Sequence, residues 1–114
     1  MPLPKAIVVI GPTASGKTAL GIHIASTING EVISADSRQI YRGMDIAMGK
    51  EKDSIGVMHG ETVAMRGGIP QYCIDIVNPD QSYTLADFQR DAKRVMEKLW
   101  ERGVVPVVVG GTGL

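Results

Sequence analysis

The stretch Gly11-Pro12-Thr13-Ala14-Ser15-Gly16-Lys17-Thr18 constrains this chain more than any other, because it matches G-x-x-x-x-G-K-[ST] without a mismatch. Ahead of it runs the apolar segment Lys5 to Ile10, "KAIVVI", which reads as a buried parallel strand. Behind it, Leu20, Ile24, Ala25 and Ile28 recur at helical spacing until Asn29-Gly30 supplies a stop. A strand that enters a glycine-bounded loop and leaves as a helix turns backbone N–H groups inward, adds the point charge of Lys17 and offers the Thr18 hydroxyl to Mg²⁺. The partial positive charge of the helix start acts in the same direction. That architecture holds a phosphate or a pyrophosphate, yet a kinase, an NTPase and a transferase with a pyrophosphate leaving group would all use it.

The rest of the chain alternates in the same manner. "EVISA", Glu31 to Ala35, is a second short strand, and "QYCIDIV" is a third that ends at Asn78-Pro79. Thr84 is the N-cap of the strongest helix, with Asp87 three residues on as its capping-box acid. Leu85, Phe88, Ala92, Val95 and Leu99 follow on one face, and Gly103 ends it. "VVPVVVGG" is a last buried strand, with Pro106 suited to its start or to a sheet edge. Between these elements, Gly49 to Gly68 has no sustained period and holds five glycines, so a loop or loose insert is expected there. The fold class that follows is α/β, a parallel sheet flanked by helices with a phosphate-loop NTPase-like core. The chain halts just past a glycine-rich strand exit where such folds run on into a helix, so residues 1–114 are expected to be one phosphate-loop core, the front part of something longer.

Asp36 lies just past a strand that should neighbour the phosphate loop, where α/β folds gather their ligand groups. A carboxylate there can hold Mg²⁺, take a proton from an incoming nucleophile, or simply cap a turn. Ser37, Arg38 and Gln39 are of the kind that can read a base edge, while Arg38 and Arg42 beside Asp45 also suit a solvated charged surface. With 12 Lys+Arg against 12 Asp+Glu, composition gives no support to strong nucleic-acid binding by this chain alone. The single cysteine, Cys73, sits in an apolar pattern and suits a core position in a reducing compartment. No apolar run reaches the roughly 18 residues that span a bilayer, so a cytoplasmic protein without membrane partners is expected. His23 and His59 have no ligand-spaced partner, and Phe88 and Trp100 suit helix packing. Lys93, Arg94 and Lys98 alternate with Asp91, Glu97 and Glu101 as on a solvated helix face.

"GPTASGKT", "ISADSRQIYRGMDI", "IDIVNPDQSYTLADFQRDA" and "PVVVGGTGL", in this order, resemble the N-terminal part of the tRNA dimethylallyltransferases. Those enzymes put a prenyl group on N6 of an adenosine beside the anticodon. Only Ala47 to Gly68 departs, where the family has a shorter link containing threonine and proline. The resemblance implies that Gly11, Pro12, Thr13, Ala14, Ser15, Gly16, Lys17 and Thr18 bind the diphosphate of dimethylallyl diphosphate with Mg²⁺, Thr18 being the metal-side hydroxyl. It implies that Thr13 bonds the oxygen between prenyl carbon and phosphate, and that Lys17 stabilises the departing charge. Asp36 would be the general base, Asp36 to Gln39 would contact the adenosine, and Thr112 would be a further tRNA-side contact. An adenylate isopentenyltransferase, a small-molecule phosphate-loop kinase and a catalytically incomplete diphosphate-binding fragment remain as alternatives. The absence of an Asn-Lys-x-Asp motif speaks against a GTPase.

Overall fold

The computed structural model describes residues 5–11, 16–35, 54–74, 76–78 and 80–110. Among them, six strands form one mixed sheet: β1 (Ile7–Ile10), β2 (Gly30–Ala35), β3 (Ser54–Met58), β4 (Glu61–Arg66), β5 (Ile69–Tyr72) and β6 (Val105–Gly110). Two helices, α1 (Lys17–Ile28) and α2 (Leu85–Glu101), complete the described elements. The strand order is β1-β6-β2-β5-β4-β3. The β1–β6, β6–β2 and β2–β5 pairs are parallel, as expected, while β4 and β3 extend the sheet antiparallel.

That antiparallel extension corrects the expectation of a loose insert. His59 and Gly60 form the two-residue loop between the paired Met58 and Glu61, and Gly67 and Gly68 do the same between Arg66 and Ile69. All four have positive φ, at 52°, 79°, 57° and 78°. Primed hairpin turns demand that geometry, because their twist matches the flanking strands. The glycines therefore punctuate a meander instead of dissolving it.

The third strand is also displaced. It ends at Tyr72, and Cys73 leaves it with φ 67°. Cys73 is buried as expected, in a turn rather than in a strand. Pro106 sits second in β6, near the strand start, although β6 is central.

Register sorts the core into two layers. Val9, Val32, Val107 and Val109 pack with Ala25 under α1. Ile33, Val63 and Tyr72 pack with Ala92, Val95, Leu99 and Val104 under α2, and Phe88 leans on the same cluster. Alternation along a strand sends Val107 and Val109 to one face and Val108 to the other, so the helices cover opposite faces. Leu85, expected on the packed face of α2, is 72% exposed because it sits in the first turn, outside the helix's contact with the sheet.

Both helices end in backbone geometry that the sequence encodes. Asn29 adopts the left-handed conformation at the end of α1 and bonds Ala25 O through its N–H. Gly103, at φ 72°, follows α2; its N–H meets Trp100 O while Val104 N–H meets Leu99 O, a Schellman closure. Gly30 has a steric role. A Cβ there would lie 2.9 Å from Val105 O and 3.2 Å from Ala25 Cα, so only glycine lets α1 close down on β6 at this point.

Candidate functional site

The carboxyl ends of β1, β6 and β2 finish level. Ile10 pairs with Gly110, and Gly110 pairs in turn with Ala35. Gly11 N–H then donates to Gly110 O at 3.3 Å, which joins the loop entry to the central strand. Ile10 and Ala35 stand two strand spacings apart, about 10 Å. In an open α/β sheet this row of strand ends is where ligands collect.

Directly behind it, α1 begins without a side-chain cap. Its N-cap is Gly16, at φ 80°, whose carbonyl accepts the first helical bond from Leu20 N–H at 3.0 Å. Glycine is the residue that reaches this φ without strain. It also brings no oxygen to the free N–H groups of the first turn, and that turn contains no acid. Lys17 and Thr18, both half-buried, occupy the first two helical positions. Among the described residues nothing caps this helix start, and its dipole favours an anion.

Of the residues singled out in the sequence, Gly11, Gly16, Lys17 and Thr18 lie together at this end of the sheet. Pro12, Thr13, Ala14, Ser15, Asp36, Ser37, Arg38, Gln39 and Thr112 lie outside the described residues, as do Arg42 and Asp45. In the sequence Asp36 follows Ala35, the last residue of β2, and Thr112 comes two residues after Gly110, the last of β6.

A second polar centre was not foreseen. Glu61 at the start of β4 accepts two bonds from Arg94, each 2.9 Å, and one from Lys98 at 2.7 Å. Asp91, buried on α2, accepts from Arg94 at 2.6 Å and from the Tyr83 hydroxyl at 2.5 Å. Arg94 and Lys98 therefore bolt the hairpin to α2 through a partner more than 30 residues upstream, and Asp91 holds Arg94 from within α2. The Arg94 bonds hold the Glu61 carboxyl below its usual range against the opposing effect of burial. Burial raises Asp91, but the bonds from Tyr83 and Arg94 outweigh it and leave the carboxyl lowered. Burial, helped by the nearby Asp91 charge, pushes the Cys73 thiol up to about 12, so it is an unreactive core group.

Glu61, Asp91, Arg94 and Tyr83 line a cleft of about 410 Å³, with Gly60, Ile76 and Val77 among its other walls. The cations that line it, Arg90 and Arg94, are already paired with carboxylates, so the cleft is a structural joint. The signal that could have revealed it is the pair of two-residue turns at His59-Gly60 and Gly67-Gly68, which sets Glu61 at the head of a strand.

A parallel strand, a glycine-bounded loop and an open helix start define an α/β protein of the phosphate-loop class. The chain belongs to the IPP transferase family, whose model matches residues 39–114. The tRNA dimethylallyltransferase of Carboxydothermus hydrogenoformans is 48% identical over 110 residues, covering 96% of this chain and 32% of that protein. The one from Pelotomaculum thermopropionicum is 49% identical over 108 residues, covering 95% and 31%. Among solved structures, the tRNA delta(2)-isopentenylpyrophosphate transferase of Staphylococcus epidermidis superposes with a TM-score of 0.81 at 43% identity, over 97% of this chain and 33% of that one. A eukaryotic dimethylallyltransferase acting on tRNA gives 0.80 at 31% identity, over 95% and 24%. The chain thus spans about a third of the length of the curated relatives it matches.

Proposed function

We propose that this chain is the diphosphate-binding core of a tRNA dimethylallyltransferase, which transfers a dimethylallyl group from dimethylallyl diphosphate to N6 of an adenosine next to the anticodon. The observation that carries this reading is the open start of α1, found in a chain whose relatives are named for that transfer. The diphosphate sits against the amides of Gly11 to Thr18, with Lys17 as counter-charge. Thr13 bonds the oxygen that bridges prenyl carbon and phosphorus.

In the transfer, the C1–O bond breaks and its electron pair leaves on pyrophosphate while N6 bonds C1. Asp36 takes the N6 proton. Lys17 and the loop amides stabilise the charge that develops on the leaving group, which is preorganised electrostatics. Ser37, Arg38, Gln39 and Thr112 hold the adenosine and its neighbours so that the weakly nucleophilic amine meets the carbon in line.

Magnesium suits the residues present. Thr18 offers a hard oxygen on the first turn of an uncapped helix, and this ion is commonly held by few protein ligands together with substrate phosphates. Bound there, it would neutralise charge on the diphosphate oxygens. No described helix is long and apolar enough to cross a membrane, and a tRNA substrate supports a cytoplasmic site of action.

The test is a substrate panel with dimethylallyl diphosphate and Mg²⁺, offering unmodified tRNA, AMP or ATP, with nucleosides identified by mass. N6-dimethylallyl adenosine formed in tRNA alone is expected. Prenylation of free AMP, or phosphoryl transfer from ATP, would replace this reading with an adenylate isopentenyltransferase or a kinase.

A further inference from the structure

An edge strand presents a row of unpaired N–H and C=O groups, and folds blunt that template with charge, proline, a bulge or a covering element. β3 is an edge of this sheet, and among the described residues no strand pairs with its outer side. Its sequence, Ser54-Ile55-Gly56-Val57-Met58, holds no charge and no proline, and its register against β4 runs without a bulge. The two-residue turn at His59-Gly60 makes Met58 and Glu61 a hydrogen-bonded pair. Bonding then alternates, so Ser54, Gly56 and Met58 direct their backbone groups at β4 while Ile55 and Val57 turn theirs outward. The side chains alternate too. Met58 packs against the core under α2, which leaves Ile55 and Val57 on the other face, 47% and 73% exposed.

We propose that β3 pairs antiparallel with the β3 of a second copy of this chain, around a two-fold axis at Gly56. In that register Ile55 stands opposite the second copy's Val57, and the outward N–H and C=O groups of both residues find partners. The exposed Ile55 and Val57 side chains of the two copies close into one aliphatic cluster. Gly56 meets its own counterpart at a non-hydrogen-bonded position, where Cα atoms approach to about 4.5 Å. The occupant is a second copy because the strand complements itself. An isologous contact sets residues near their own counterparts, so a charged strand would face like charge, and this one carries none. The two-fold also reverses strand direction, so the row of strand ends beside Gly11 points opposite ways in the two copies and stays free in both. A five-residue seam falls well short of the about 800 Å² per partner of a lasting dimer, so the association is weak and depends on concentration. The proposal does not rest on the transfer reaction, and its test reads association rather than turnover.

Disulfide cross-linking reads the register. A Cβ at Gly56 meets nothing within 4 Å, so Gly56→Cys fits the fold, and the two-fold brings its thiol within bonding reach of its counterpart. Ser54→Cys is the control, because in this register it lies about 14 Å from its counterpart along the strands. Under mild copper-phenanthroline oxidation, Gly56→Cys is expected to cross-link at least ~10-fold faster than Ser54→Cys. Native Cys73 is buried and takes no part. In sedimentation equilibrium the mass of the unsubstituted chain is expected to climb from 12.2 kDa toward twice that and no further. Val57→Lys, which places a charge on the seam, stays monomeric, and Val8→Lys, on the strand at the opposite edge of the sheet, associates like the unsubstituted chain. Equal cross-linking rates, a monomeric mass up to about 1 mM, growth beyond a dimer, or association that survives Val57→Lys would each overturn the proposal. The same cysteines are then placed in a chimera where this chain replaces the matching third of the Carboxydothermus relative, with the Gly56→Cys cross-link again expected. Its loss there would seat an element of the longer chain on β3, and overturn the proposal too.

Discussion

The two helices begin in opposite ways. α2 closes its own start: the Thr84 hydroxyl accepts from Asp87 N–H at 3.1 Å, and the Asp87 carboxylate accepts from Thr84 N–H at 2.8 Å. α1 starts on Gly16, which has nothing to offer, and continues with Lys17 and Thr18. The capped start is a matter of stability; the start on Gly16 is, on the proposed reading, the one that meets the diphosphate.

Substitutions separate the two roles. The largest effect is expected at the open end. Asp36→Ala lowers turnover by about 10²–10⁴-fold with little change in diphosphate affinity, as steady-state kinetics and direct titration would establish together. Equal losses in both quantities would remove Asp36 from the base role. Gly30→Ala comes next, because the new Cβ meets Val105 O and Ala25 Cα, both backbone atoms. Overpacking of that kind costs about 1–3 kcal/mol in a urea melt. By shifting α1 it also weakens diphosphate binding, whereas an unaltered melt would show that α1 has slack. At the closed end, Thr84→Ala removes the cap and costs about 1 kcal/mol. That corresponds to a thermal midpoint about 4–8 °C lower, with diphosphate affinity untouched.

The smallest expected effect concerns pH. Glu61 and Asp91 titrate below their ordinary values of 4.5 and 3.8 because Arg94 and its neighbours favour the charged forms. Unfolding therefore takes up protons at mildly acid pH. Their contribution is complete above those ordinary values and is lost as the pH falls through the depressed ones. Stability measured from about pH 6 to about pH 3 should decline, and less steeply in Arg94→Met. An identical slope in that variant would show that the hairpin joint has no electrostatic component.

The contrast between the helix starts was legible in the residues because both are local signals. A capping box needs only Thr84 and Asp87, and a phosphate loop only its glycines, Lys17 and Thr18. The strands on either side of the loop follow from compact apolar runs, and the Asn29-Gly30 stop from the left-handed conformation that Asn29 adopts. What escaped depends on partners distant in sequence. β3 carries no polar–apolar alternation, because its Ile55 and Val57 stand exposed, and its turn pairs His59 with a glycine, so the segment reads as a glycine-rich loop. The charges of α2 look solvated until the hairpin brings Glu61 to Arg94 and Lys98. Likewise, no local pattern forecasts that the apolar "QYCIDIV" turns at Cys73. At the candidate site, Gly11 follows β1 and Gly16, Lys17 and Thr18 open α1, while Pro12 to Ser15 and Asp36 with its neighbours lie outside the described residues.

The most direct test of the open helix start is calorimetric titration of dimethylallyl diphosphate with Mg²⁺ into the unsubstituted chain, Lys17→Ala and Thr84→Ala. Loss of a charge-assisted bond predicts affinity about 10- to 100-fold weaker in Lys17→Ala and unchanged in Thr84→Ala. If the chain fails to bind the diphosphate, or if Lys17→Ala binds as tightly as the unsubstituted chain, the start of α1 is not the anion site.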